Sequence, residues 1–395
     1  MHPKRLNGLD TLRAMAILLV LMSHYSGFVS KHQTFGFVGD IGWAGVDLFF
    51  VLSGYLIGNQ IMSGIANGEP LSLKNFFARR LLRTLPNYYV VLAAYFIFPA
   101  ALSGRSTSSL WQFLTFTQNI GLEYGQTFTH SWSLCIEEQF YLILPLISLV
   151  LLRLKSPLWL AWGLLIAAIG GGMLFRGMAF LPAHPAGGTG FLHGHPAFDA
   201  QVYYSTFGRF DELLPGVAIA MLKNFHTGFY DRLMRHGQAL LITGLLATCG
   251  VLYCINSDDT NKPLIVNALG FSLLAISFAI LTLAALSPNS YLHRLRLPGA
   301  AQLALWSYAV YLVHKPVFML IGAELTKQHI DANAPLTIMS VTAAGIFGGW
   351  LLYRLVETPF MQIRARWFPS KTRQTSNRAK KDEEDNRTYL NTSGL

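Results

Sequence analysis

Apolar runs of about 20 residues recur along the whole chain, broken by short stretches that are polar and mostly basic. A run of this length is what a helix needs to cross a bilayer. Ten candidate spans follow: 9–28, 42–62, 86–103, 131–152, 157–175, 207–222, 238–255, 264–286, 303–323 and 335–354. The apolar segment 107–122 is too short to cross and reads as re-entrant or interfacial. The segment 72–84, SLKNFFARRLLRT, mixes aromatic, aliphatic and basic residues and reads as an amphipathic stretch on the membrane surface. The pattern predicts an all-α membrane protein, a polytopic bundle of about ten transmembrane helices. Residues 1–368 form one integral-membrane domain, and 369–395, with its KKDEEDNR run, a charged and disordered tail. Lys4 and Arg5 precede the first apolar run as in a signal peptide, but Asp10 and Arg13 interrupt it, so an uncleaved first helix is expected.

The distribution of basic residues orients these spans. With the N-terminus in the cytoplasm, 22 of the 30 Lys and Arg residues fall in inside segments and six outside. That bias at every turn predicts a multi-pass membrane protein of ten spans with both ends cytoplasmic. The composition agrees: 52% hydrophobic and 13% charged, against about 25% charged in soluble domains. The net charge of +10 therefore points to topology and anionic lipid, and not to nucleic acid. Cys135, Cys249 and Cys254 are scattered in or beside apolar runs and read as small buried hydrophobes. The loop histidines His184, His193 and His195 lack a ligand spacing, so no metal site is expected.

Charged and polar residues inside spans are expensive, which makes them candidates for function. Arg13 and His24 are eleven residues apart on the first span. Eleven residues bring the helix back to within roughly 20° of the same face, about 16 Å further along the axis. Histidine titrates near neutrality and is the usual general base; the same pair would also serve as interhelical hydrogen bonds that pack a bundle. Asp47 lies in the apolar run GWAGVDLFFVLSGYLIG, among small residues that let helices approach. Arg80 and Arg83, three apart, put two guanidinium forks on one helical face, suited to the phosphates of coenzyme A or to those of lipid. Glu137 and Glu138 enter a span in HSWSLCIEEQFYLILP and require a partner; one expected role for Glu137 or Asp47 is to orient His24. Arg209 with Asp211 and Glu212, His314 in WSYAVYLVHKPVF, and Glu357 are weaker signals of the same kind.

These motifs, in this order, resemble the integral-membrane acyltransferase 3 family. Arg13 and His24 match its R-x10-H, GVDLFFVLSGYLI its second-span signature, Arg80 and Arg83 its R-x-x-R, and SWSLCIEEQFYLILP its WSLxxE motif. The match runs over about 350 residues, and a mild departure is Cys135, where a small residue such as Ser is common. The resemblance implies acyl transfer from acyl-CoA, most simply acetyl-CoA used as a cosubstrate with no tightly bound cofactor. The implied acceptor is a hydroxyl of a carbohydrate or polysaccharide, either outside the membrane or linked to a polyprenyl lipid. Other relatives acylate small molecules such as macrolides. Some carry a fused SGNH hydrolase-like domain, and the chain resembles the stand-alone form. His24 is then expected as the general base or an acyl carrier, with Arg13, Glu137 and Asp47 beside it. Arg80 and Arg83 are expected on coenzyme A, and Ser133, Arg209 and His314 on substrate. A glycan transporter or flippase is the competing class; it lacks support from an inverted repeat or from paired Gly/Pro-broken spans.

Overall fold

A computed structural model describes residues 6–102, 108–122, 125–183, 199–256 and 263–369. The expected tail from 370 and the loop histidines His184, His193 and His195 lie outside the described residues. Among the described residues the chain is helical and contains no strand.

The first half comprises α1 (Asn7–Tyr25), the short α2 (Gly36–Asp40), α3 (Ala44–Ala66), α4 (Leu73–Ile97), the short α5 (Leu110–Leu114), α6 (Trp132–Arg153) and α7 (Leu158–Ala183). The second half comprises α8 (Thr206–Arg209), α9 (Leu214–Phe225), α10 (Thr227–Arg235), α11 (Gly237–Asn256), α12 (Pro263–Leu286), α13 (Tyr291–Arg294), α14 (Ala300–Lys327), α15 (Pro335–Leu352) and α16 (Thr358–Trp367). Among the described residues, eight helical stretches are long and apolar enough to cross a membrane, which makes the chain a polytopic all-α bundle. They correspond to eight of the ten expected spans.

The other two differ for identifiable reasons. Residues 72–84 and 86–103 do not separate into a surface segment and a span. They join in the single 25-residue helix α4, which Ser72 caps by accepting from the Asn75 amide and which runs on through Pro86. The basic residues of its first half keep its hydropathy low. The expected span 207–222 is broken: α8 ends at Arg209, a 3-10 turn covers Phe210–Leu213, and α9 has 12 residues. At 1.5 Å per residue α9 reaches about 18 Å, short of the ~30 Å of hydrocarbon. Irregular backbone at that depth is tolerated only when protein surrounds it, and Asp211, Glu212 and Leu213 of this break are buried.

The core is built by α1, α3, α9, α12 and α14. On α1, Leu9, Leu12, Ala16, Ile17, Val20 and Leu21 are buried, the three-and-four spacing of one helical face, while Met15 and Leu18 face outward. Helix α3 packs between α1 and α9. A Cβ on Gly54 would run into the carbonyl oxygen of Leu213, and one on Gly216 into that of Val51. Only glycine permits that backbone approach. Helix α14 lies along α1, and α16 folds back onto α4. Cys135 is buried as expected, but Cys249 and Cys254 are exposed on the outward side of α11, which packs only through one face.

Candidate active site

Cavities lined by described residues enter the core, and a pair of them share a wall. One, of about 350 Å³, is lined by Arg13, Arg79, Arg80, Arg83 and Arg364 together with Glu137, Ser133, Tyr141 and the apolar Phe49, Leu52 and Phe76. Three helices supply its arginines. Arg13 comes from α1 and Arg79, Arg80 and Arg83 from one turn of α4; Arg364 arrives because α16 folds against α4. Five guanidinium groups face one lining carboxylate, so the cavity is strongly electropositive. The other, of about 510 Å³, is lined by His24, His130, Lys315, Asp40 and a set of aromatic residues that includes Trp43, Trp132, Tyr203 and Tyr204. Val46 and Tyr311 line both cavities. Tyr311 is held at this partition: its hydroxyl donates to the carbonyl of His130 and bonds Ser133 Oγ, each at 2.7 Å.

Helices α1 and α14 carry the reactive groups across from one another. Arg13 donates to Ser307 Oγ at 3.3 Å, and His24 Nδ1 lies 2.6 Å from His314 Nε2. The imidazole rings of His24 and His314 are nearly parallel, 12° apart. His314 Nδ1 is 3.0 Å from the carbonyl oxygen of Val310, one turn back on its own helix. A carbonyl oxygen only accepts, so His314 carries its hydrogen on Nδ1 and, when neutral, a lone pair on Nε2. His24 must then donate from Nδ1, which leaves its Nε2 as the basic nitrogen.

A third imidazole closes the cluster. His130, in the 3-10 turn before α6, has its ring centroid 6.3 Å from that of His24 and 5.6 Å from that of His314. Its Nε2 is 3.1 Å from the carbonyl oxygen of Leu312. That carbonyl is available because the residue four further on is Pro316, which has no amide hydrogen to occupy it. His130 therefore holds its hydrogen on Nε2. Its Nδ1 has no hydrogen-bond partner.

The expected carboxylates are elsewhere. Asp47, fully buried, is ion-paired with Arg209 at 3.0 Å, and Arg209 also bonds Glu212. The Arg209 guanidinium lies 3.7 Å over the Phe271 ring and lines neither cavity. Asp47 is therefore not beside His24, where it was expected, and Arg209 lies behind Trp132 and Tyr203 of the histidine cavity without lining it. Arg209 offsets the carboxylates of Asp47 and Glu212 at the break before α9, where an unpaired charge would be costly. Arg176, Asp211 and Ser272 form a second buried cluster beside it, with Arg176 Nη1 2.7 Å from Asp211. Glu137 is likewise not beside His24. It accepts from Ser53 at 3.0 Å and Tyr141 at 2.7 Å and lies 3.8 Å from Arg80. Arg80 also lies 3.8 Å from Glu138 and 3.7 Å over the Tyr141 ring. Arg80 is thus largely neutralised, whereas Arg79, Arg83 and Arg364 make no ion pair among the described residues. Ser133 lines the arginine cavity through its bond to Tyr311, and His314, expected on substrate, backs His24 instead. Glu357 accepts from Asn87 at 2.9 Å and ties the end of α15 to α4.

The sequence reading missed Arg79, Arg364, His130, Lys315, Val46 and Tyr311. Lys315 carried a usable signal, a charge inside an apolar run; His130 stood at the head of a motif already singled out. Nothing in the sequence brings Arg364 to the cavity, since only the fold-back of α16 does so.

A membrane bundle with an anion-attracting cavity at one end, a histidine cluster at the other and one partition between them has the layout of an enzyme that transfers a group between two substrates. A family model described as an acyltransferase domain matches residues 6–354, and the chain belongs to this membrane acyltransferase family. It is 30% identical over 339 residues to the putative peptidoglycan O-acetyltransferase YrhL of Bacillus subtilis, covering 81% of this chain and 49% of that protein. It is 30% identical over 378 residues to the peptidoglycan O-acetyltransferase OatA of Listeria monocytogenes, covering 90% and 56%. A putative O-acetyltransferase of Staphylococcus aureus is 28% identical over 396 residues, covering 92% and 59%. The chain spans about half the length of the curated relatives it matches. No solved structure matches it.

Proposed function

We propose that this protein is a multi-pass inner-membrane O-acetyltransferase that moves an acetyl group from acetyl-CoA to a hydroxyl of a cell-envelope glycan. The observation that carries the reading is the shared partition: one wall, Val46 and Tyr311, separates a polyarginine cavity from a polyhistidine one. The positive-inside distribution assigns the arginine cavity to the cytoplasm, where acyl-CoA is found. The names of the relatives, and the aromatic lining of the histidine cavity, favour a glycan acceptor on the other side.

Coenzyme A presents a pyrophosphate and a 3′-phosphate. Arg83, Arg79 and Arg364, without an ion pair among the described residues, supply guanidinium forks for them. The pantetheine arm follows the apolar wall of Phe49 and Leu52 to bring the thioester to the partition. The acceptor hydroxyl oxygen attacks the thioester carbonyl carbon while His24 Nε2 takes its proton. The C–S bond then breaks as the tetrahedral intermediate collapses, and the imidazolium returns the proton to the departing sulfur. The products are the acetyl ester and coenzyme A, with no other reactant required. His314 acts through His24: its Nε2 lone pair fixes the ring and the tautomer, and it stabilises the imidazolium as a carboxylate does in a hydrolase triad. Arg13, bonded to Ser307 two turns before His314, adds positive charge to the donor cavity.

The test is acetyl transfer by the purified protein in lipid nanodiscs. Isotopically labelled acetyl-CoA and a peptidoglycan-derived glycan should yield labelled ester and free coenzyme A without any ion gradient. His24→Ala should abolish the transfer while the protein still accumulates. Acetyl-CoA that is neither bound nor consumed by the wild-type protein would remove the reading.

A further inference from the structure

Most buried charges among the described residues have a charged or hydrogen-bonding partner. Arg209 meets Asp47 and Glu212, and Arg176 meets Asp211. Lys315 is 6% exposed, lies inside a membrane-crossing helix and makes no hydrogen bond or ion pair among the described residues. Its ammonium rests 4.6 Å over the Phe28 ring, and Lys315 and Phe28 both line the histidine cavity. The same ring packs edge-on against His24, 5.6 Å between centroids, so the cation stands one aromatic ring away from the imidazole. The lining carboxylate, Asp40, is exposed and already accepts from Gln33 at 3.2 Å. A compact ammonium with no counter-ion in a low-dielectric wall is unfavourable unless an anion joins it. His130, on the same cavity, adds an unpaired acceptor at Nδ1.

We infer that the histidine cavity takes an acceptor bearing an anionic group, held by the Lys315 ammonium, with a neighbouring hydroxyl donating to His130 Nδ1. The assignment rests on the reading of this cavity as the acceptor site and narrows its substrate to acidic glycans. A carboxylate of a sugar acid and a phosphate of a lipid-linked sugar share this chemistry; a neutral sugar leaves both groups unsatisfied. Lys315 is then a specificity residue, acting on which acceptor is held and leaving the donor cavity untouched.

The experiment measures binding to the nanodisc-embedded protein by calorimetry, with glucuronate, glucose and inorganic phosphate as probes, for wild type, Lys315→Met and Lys315→Arg. The expected result is glucuronate binding at least about tenfold tighter than glucose, the loss typical of one charge-assisted hydrogen bond. Lys315→Met should erase that preference and Lys315→Arg retain it. A Lys315-dependent response to phosphate with none to glucuronate assigns the anion to a lipid-linked phosphate and supports the inference equally. Phosphate bound by the arginine cavity is recognised because it persists in Lys315→Met. The inference is overturned if wild type shows no Lys315-dependent binding of either glucuronate or phosphate, that is, if Lys315→Met binds both as wild type does. None of these arms needs turnover, so a protein that fails to transfer acetyl would sink the proposed function and still give an answer here.

Discussion

His24 and His314, 290 residues apart in sequence, meet nitrogen to nitrogen at 2.6 Å. The bond has a direction, because the Val310 carbonyl forces a hydrogen onto the far side of His314. His24→Ala is therefore expected to lower kcat by about 10²–10⁴-fold. The acyl-CoA dissociation constant should stay near that of wild type, measured by binding to the nanodisc-embedded variant.

His314 is a positioning residue, and conservative replacement separates that role from packing. His314→Gln keeps an acceptor for His24 Nδ1 and should retain much of the activity. His314→Leu has similar bulk and no acceptor; it should lose roughly 10–100-fold in kcat, by analogy with groups that orient ligating histidines. Equal loss in both variants, with lowered melting temperature, would indicate packing alone.

Donor recognition is expected to fall on the unpaired arginines. Arg83→Ala should raise the KM for acetyl-CoA about 10–100-fold, the value of a charge-assisted phosphate contact, with little change in the acceptor KM. Arg80→Ala should act differently. It leaves Glu137 and Glu138 without their cation and should lower the melting temperature as well as activity.

The partition predicts acyl selectivity. Val46→Ala opens the wall on one side of a Tyr311 held by two hydrogen bonds. The ratio of butyryl to acetyl transfer should rise by about tenfold, in the range a pocket discriminates per methylene. Val46→Phe should block transfer while acyl-CoA still binds.

Asp47 is expected to matter for folding and not for chemistry. Asp47→Ala leaves Arg209 with Glu212 alone, removes a buried charge-assisted hydrogen bond and should destabilise the protein by about 1.5–3 kcal/mol. The readout is a lower melting temperature and poor accumulation; a well-folded Asp47→Ala protein with dead chemistry would overturn this assignment.

Much of the architecture was legible because lipid allows few solutions: a long apolar run must be a helix, and basic residues mark its ends. The expected spans that departed were the two whose apolar pattern is interrupted. At α4 the basic half of the helix looks like a surface segment, since hydropathy does not register that Arg80 is paired by glutamates from α6. At α9 the break lies at Arg209–Glu212, where charges are neutralised by a residue 162 positions away in sequence. The pairing of His24 was illegible for the same reason. Helical spacing places Arg13 and His24 on one face, but which helix lies opposite is decided by packing, and that helix is α14. The sequence offered carboxylates as partners by precedent; packing supplied an imidazole.

Pro316 influences a ring it never touches. By lacking one hydrogen it leaves the Leu312 oxygen idle within its own helix, and His130, 182 residues away in sequence from Leu312, docks there and thereby has its protonation pattern chosen. Restoring an ordinary amide at this position would let the helix reclaim the oxygen as a rival for that dock. The defect in one helix thus works as a lock on the side chain of another, and an apparently stabilising repair would be expected to loosen the pocket it borders.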